Sequence, residues 1–225
     1  MRIGFTGAHR SGKTTLARLV STEYGLHRVE SPAGAIAAKY GFDMGADNRL
    51  ALQKQPDENT GVDMQQCIMD ELTTRLRGRD SFVVDRTPID VAAYMLADAT
   101  AGAGDADARH CAVKMVTDAI NLTQELFDVV ILVPPLPIFV EEVGKPPMNQ
   151  AYQDHHHFLC RGMLFDEDLD VWWDEIRRDT FNLSERMDLV RGAIAESGVM
   201  PLTFRKPDDH PEVVWAAKQE DGVQA

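Results

Sequence analysis

The sequence predicts an α/β fold in three layers: a five-stranded parallel sheet with helices on both faces and a lid segment. Three observations predict it. Short apolar runs alternate with helix-period segments along the 225 residues, the pattern of parallel strands joined by helical crossovers. Gly7–Thr14 reads GAHRSGKT, a full match to the phosphate-binding loop pattern G-x-x-x-x-G-K-[ST], set between the first apolar run and the first helical segment. Two long polar excursions then follow the second and fourth strands, where such folds place substrate-binding and lid elements.

The elements follow in order. Arg2–Thr6 is the first strand, with Ile3 and Phe5 apolar. Gly12–Tyr24 is the first helix, because Leu16, Leu19, Val20 and Tyr24 recur at helical spacing, and Gly25 ends it. His27–Val29 is a short second strand. Pro32–Tyr40 reads as helix, with Pro32 in its first turn. Gly41–Gly61 is polar loop around a short helical turn at Arg49–Lys54. Met64, Ile68, Leu72 and Leu76 recur every fourth residue and make Val62–Arg77 a helix. Ser81–Asp85 is the third strand and Ile89–Asp98 a helix. Ala101–Ala108 (AGAGDADA) reads as a flexible connection of small residues, and His110–Leu126 as a long helix. Asp128–Val133 is the fourth strand, closed by Pro134-Pro135. A polar segment from Glu141 to Asp154 leads into a helix that ends near Phe165. Trp172-Trp173 reads as core or lid packing, Ser184–Glu196 as an amphipathic helix and Met200–Phe204 as the fifth strand. The expected organisation is one P-loop NTPase domain over residues 1–206, with a substrate-binding insert at about 41–80 and a lid at about 141–165. Residues 207–225 form an acidic C-terminal tail.

Composition narrows the function. The formal net charge is −13 and the pI is about 4.9. Such a surface repels nucleic-acid backbones and points to a small substrate. No run approaches the roughly 20 apolar residues of a membrane span, and the chain opens on a strand, which leaves no room for a signal peptide. Cys67, Cys111 and Cys160 are odd in number and widely spaced. They read as reduced thiols of a cytoplasmic chain and lack the spacing of a structural zinc site.

The chemistry starts from the loop, Gly7, Ala8, His9, Arg10, Ser11, Gly12, Lys13, Thr14 and Thr15. Its glycines permit backbone turns that aim successive N–H groups at a polyphosphate, on a helix N-terminus. Lys13 is expected at the β/γ-phosphates of ATP and the Thr14 hydroxyl on Mg²⁺. In a parallel sheet ligands gather at the carboxyl ends of the strands. Asp85 ends the third strand and is the carboxylate suited to organise Mg²⁺. Arg86, beside it, suits a substrate phosphate or hydroxyl; the pair could equally cap the next helix. Glu30 follows the second strand at its end, on the buried side, either as a base for an attacking hydroxyl or as an acidic residue favoured by the following helix dipole. Gln65 and Gln66 carry amides that can read a base edge or face solvent. Lys145 and Arg161 flank the lid, where cations can close over a transferring phosphoryl group. Arg177 and Arg178 are weaker candidates, able simply to pair with Asp174 and Glu175. His155-His156-His157 point in three directions on a helix, which disfavours chelation.

Three stretches resemble the P-loop nucleoside and nucleotide kinases, a set that includes deoxynucleoside kinases, thymidylate kinases and ribosylnicotinamide-kinase-like ATPases. They are GAHRSGKTT at Gly7–Thr15, the Glu30-Ser31-Pro32 turn, and VVDRTPIDVAAY at Val83–Tyr94. The resemblance spans roughly residues 1–165. It implies a phosphotransferase that uses ATP and Mg²⁺ on a small nucleotide acceptor, foremost a (deoxy)nucleoside monophosphate. It implies that Glu30 serves as base for a nucleoside 5′-hydroxyl or positions a nucleotide, that Arg86 holds the 5′ end or its phosphate, and that the chain pairs as a homodimer. Two features depart from the family pattern. The lid segment reads EEVGKPP instead of an arginine-rich run, and Asp85 stands where deoxynucleoside kinases often carry Glu. The alternatives are a nucleoside kinase acting on the 5′-hydroxyl, a P-loop ATPase or switch acting on a protein partner, and a polynucleotide kinase. The chain lacks the N-K-x-D and D-x-x-G motifs of a GTPase.

Overall fold

The apolar runs build a sheet in which every strand is parallel to its neighbours. In this computed structural model the described residues are 1–41, 60–101, 106–137 and 149–199. The strands are β1 (Arg2–Thr6), β2 (Arg28–Val29), β3 (Phe82–Val84), β4 (Val129–Leu132) and β5 (Trp172–Glu175), in the order β2-β3-β1-β4-β5. β1 is central: Ile3 stands in register with Val83 on one side and Val129 on the other. The chain therefore fills one side of β1, returns and fills the other, which makes the carboxyl end of β1 the switch point where such sheets bind ligands.

Seven helices lie among the described residues: α1 (Lys13–Tyr24), α2 (Ala33–Lys39), α3 (Thr60–Leu76), α4 (Pro88–Ala101), α5 (Ala106–Leu126), α6 (Gln150–Leu164) and α7 (Leu183–Glu196). Strand side chains alternate between two faces, and two cores result. Ile3, Phe5, Val83, Val129 and Ile131 pack with α1 and α7. Phe82, Val84, Val130 and Leu132 pack with α2 through α6, including Ile68 and Leu72 of α3. Each fully buried large side chain contributes about 1.5–3 kcal/mol. Gly4 of β1 admits the second layer closely, since a Cβ there would lie 2.5 Å from Thr87 Cγ2 and 2.7 Å from the Phe127 ring.

Two expectations change, and others lie outside the described residues. The fifth described strand is Trp172–Glu175, where core or lid packing was expected; the strand expected at Met200–Phe204 lies outside the described residues together with the tail 207–225. Its alternating exposure, Trp172 outward and Trp173 half-buried against Phe165 (ring centroids 4.7 Å), is that of an edge strand paired only to β4. The described ends of the small-residue connection are helical: α4 runs to Ala101 and α5 starts at Ala106, as alanine's high helix propensity allows. The turn expected at Arg49–Lys54 lies outside the described residues. Among the described residues no helix is long and apolar enough to cross a membrane.

Candidate active site

The loop after β1 takes its shape from three residues with positive φ: Gly7 (+134°), Arg10 (+59°) and Gly12 (+95°). Gly7 is obligatory, because a Cβ there would lie 2.3 Å from the Val133 carbonyl oxygen at the end of β4. Left-handed residues set among right-handed ones turn successive N–H groups to one side, which makes an anion-binding concavity. Ala8 and Ser11 are buried, His9, Arg10 and Thr15 half-buried, and Thr14 exposed. α1 begins at Lys13, so the concavity lies at a helix N-terminus.

Lys13 is buried. Its Nζ donates to Gly7 O (2.6 Å) and Ala8 O (2.7 Å) and lies 3.9 Å from Asp90 Oδ1. Burial lowers its pKa below the ordinary lysine value; Asp90 opposes that shift and Arg86 adds to it. The Thr14 hydroxyl donates to Asp85 Oδ2 at 2.5 Å. Asp85 Oδ1 is buried without a hydrogen-bond partner among the described residues. A hydroxyl oxygen and an unused carboxylate oxygen side by side are the hard donors that fit Mg²⁺.

Arg86 is half-buried with its guanidinium 5.0 Å from the centre of the Tyr94 ring. Among the described residues it has neither a carboxylate nor a hydrogen-bond partner. Tyr94 in turn contacts His156 (centroids 4.1 Å). A planar cation on an aromatic face keeps its edge free for an anion.

Asp90 organises the whole site and went unassigned in the sequence. Fully buried, its Oδ1 accepts from Gly7 N (3.0 Å), and its Oδ2 accepts from Thr87 N (2.9 Å) and Thr87 Oγ1 (3.2 Å). One carboxylate thus ties the first glycine of the loop to the turn that carries Asp85 and Arg86. The available signal was the T-x-x-D spacing of Thr87-Pro88-Ile89-Asp90, half of a capping box with proline at the first helical position.

α6 completes the wall. Gln153 Nε2 donates to His9 O (2.9 Å), and His156 Nε2 lies 3.3 Å from Asp90 O. A carbonyl only accepts, so Nε2 carries the proton and Nδ1 accepts from the Cys160 thiol at 3.6 Å. Burial, then Lys13 and Arg86, push the His156 pKa well below the ordinary value. Burial likewise pushes the Cys160 thiol up. Asp90, His156 and Cys160 could geometrically hold a metal ion. Their committed atoms and the nearby Lys13 ammonium make them a hydrogen-bonded support instead.

The other predicted residues separate. Gln65 is buried with Oε1 unpartnered among the described residues, while Gln66 is exposed and donates to Asp70 Oδ1 (2.9 Å). Glu30, expected on the buried side, is exposed and paired with Arg28 at 2.8 Å; β2 stops at Val29. Arg161 lies at the C-terminal end of α6, paired with Glu175 (2.8 Å). It borders an open groove of about 470 Å³ with Arg177 and Arg178, each of which also has an acidic partner, Asp179 and Asp154. Lys145 and residues 141–148 of the expected lid lie outside the described residues. Residues 150–164 of it are α6.

A family model described as AAA domain matches residues 2–199, so the chain belongs to that family. No curated protein matches it as a relative. Among solved structures it is similar to deoxyadenosine kinase from M. mycoides with products dCMP and a flexible dCDP bound. That match has a TM-score of 0.62 at 13% identity and covers 87% of this chain and 99% of the other. It is also similar to thymidylate kinase from Candida albicans (TM-score 0.56, 14% identity, 87% of this chain and 91% of that one). A NadR protein in complex with NR superposes with a TM-score of 0.57 at 16% identity, over 88% of this chain and 50% of that one. At such identities the likeness is one of fold: an α/β P-loop fold shared with nucleoside and nucleotide kinases.

Proposed function

We propose that this AAA-domain chain is a phosphotransferase that moves the γ-phosphate of ATP to a small nucleotide acceptor, foremost a (deoxy)nucleoside monophosphate. The observation that carries this reading is the half-buried Arg86 guanidinium, without a counter-ion among the described residues, one residue from Asp85 and close enough to Lys13 to perturb it. An anion-seeking fork beside a triphosphate loop suits an acceptor that brings its own phosphate. The exposed, Arg28-paired Glu30 gives less support to a nucleoside kinase that draws a proton from a 5′-hydroxyl.

In this reading the loop N–H groups and Lys13 bind and orient the triphosphate. Thr14 and Asp85 would hold Mg²⁺, which neutralises charge on the phosphate oxygens. Arg86 holds the acceptor phosphate in line and Tyr94 fixes the plane of its guanidinium. Phosphoryl transfer needs positioning and charge stabilisation more than covalent chemistry, and these residues provide both. Gln65 offers a buried amide to the acceptor base. α6, through Gln153 on His9, closes the site against water. Residues 41–80 and 141–165 serve as acceptor insert and lid.

Steady-state kinetics of Arg86→Gln test the assignment. A charge-assisted hydrogen bond contributes about 1.5–3 kcal/mol, so the monophosphate KM should rise at least about ten-fold with the ATP KM little changed. An unchanged monophosphate KM refutes the assignment.

A further inference from the structure

The phosphate loop is held from behind by Arg186 of α7, a residue 3% exposed. Its Nε donates to Thr180 O (2.8 Å), one terminal nitrogen to Ser11 O (2.7 Å) and the other to Pro134 O (3.3 Å). Those carbonyls belong to three separate segments: the loop before α7, the phosphate loop, and the end of β4. Among the described residues no carboxylate lies within ion-pair distance of it, and burial lowers its pKa. A desolvated cation without a counter-charge is unfavourable unless its charge is used.

Its bond to Ser11 O has a geometric consequence. In a trans peptide the C=O and N–H point in opposite directions. Fixing Ser11 O on the guanidinium therefore aims the Gly12 N–H away from Arg186, and the charged donor polarises that peptide. The guanidinium is close enough that a Cβ on Gly12 would lie 3.4 Å from it.

We propose that Arg186 is a positioning residue for polyphosphate: it aims and polarises the Gly12 N–H and places an uncompensated positive charge behind the loop. It acts through the backbone, not by touching substrate, and it contributes in proportion to the negative charge in front of it. The proposal rests on reading the loop as a triphosphate site.

The test is displacement of a fluorescent ATP analogue by ATP, ADP and AMP, with Mg²⁺, on the full chain. Wild type, Arg186→Met and Arg186→Lys are compared, each with its melting temperature. In Arg186→Met, ATP affinity should fall about ten-fold and AMP affinity by less than about two-fold, with ADP between them. Arg186→Lys keeps the charge but not the rigid fork, so it should recover part of the ATP loss. A purely structural brace would lower the melting temperature and weaken the three nucleotides equally, or leave all three unchanged; either result overturns the proposal. If Arg186→Met does not fold, the ratio of ATP to AMP affinity in Arg186→Lys decides: an unchanged ratio overturns it. Wild-type protein that binds none of the nucleotides overturns the triphosphate reading, and this proposal with it. That outcome is distinct from wild-type binding with indifferent variants.

Discussion

Replacing Asp90 by Asn keeps the shape of the side chain and removes one acceptor. The carboxylate accepts from Gly7 N through one oxygen and from Thr87 N and Oγ1 through the other. An amide has one oxygen and an NH₂ group, so either Gly7 N–H or Thr87 N–H must then face another donor. Both backbone groups are buried, and an unsatisfied buried donor costs about 1–3 kcal/mol. For a chain of this size each kcal/mol lowers the melting temperature by roughly 2–4 °C. Asp90→Asn should therefore melt about 2–12 °C below wild type, by scanning calorimetry. Asp90→Ala strands both donors and should fall roughly twice as far. The reasoning also fixes where the damage lands: Gly7 opens the phosphate loop, so ATP affinity should fall in Asp90→Asn at temperatures where it is fully folded. An Asp90→Asn protein that melts within about 1 °C of wild type and binds ATP normally would refute the reasoning, because a lost buried hydrogen bond must register.

Two further predictions concern the support beneath the site. His156 is held neutral by burial, its pKa pushed well below 6.5, so the unfolded chain takes up a proton that the folded chain refuses. Stability should fall as pH drops from about 6.5, by up to about 1.4 kcal/mol per pH unit, until the folded-state value is reached; thermal melts from pH 7 to 5 should show a shallower dependence in His156→Gln. Cys67 and Cys111 are exposed and Cys160 is buried with its thiol pushed up, so iodoacetamide should label the first two on the native protein and Cys160 only after denaturation, as read by peptide mass spectrometry.

The turn of GAHRSGKT was legible because it is local: eight consecutive residues set its backbone shape. The place of Asp85 was legible for a related reason: it follows a strand, and the structure sets it beside Thr14. Position at a strand end also placed Glu30 on the buried side, and there it misled. β2 is a two-residue edge strand, and Glu30 falls past its end into solvent beside Arg28. β5 was missed because an edge strand pairs with one neighbour and needs no continuous apolar run. WWDE alternates outward and inward, whereas Met200–Phe204 reads as a more conventional strand. The supporting residues were illegible because their partners are distant in sequence: Asp90 meets Gly7 across 83 residues, Gln153 meets His9 across 144 and Arg186 meets Ser11 across 175. Only the strand order brings those pairs together. Of the neighbouring glutamines, the helical pattern showed that one could face inward; packing decided that it is Gln65.

The central claim is acceptor-dependent phosphoryl transfer. Its most direct test is an ATP-consumption assay with Mg²⁺ against a panel of nucleoside monophosphates, nucleosides and short DNA, with Lys13→Ala as the control. The account predicts turnover that depends on a monophosphate and falls about a hundred-fold or more in Lys13→Ala, the scale seen when one transition-state charge stabiliser is removed. ATP turnover that is the same with and without every acceptor would contradict it.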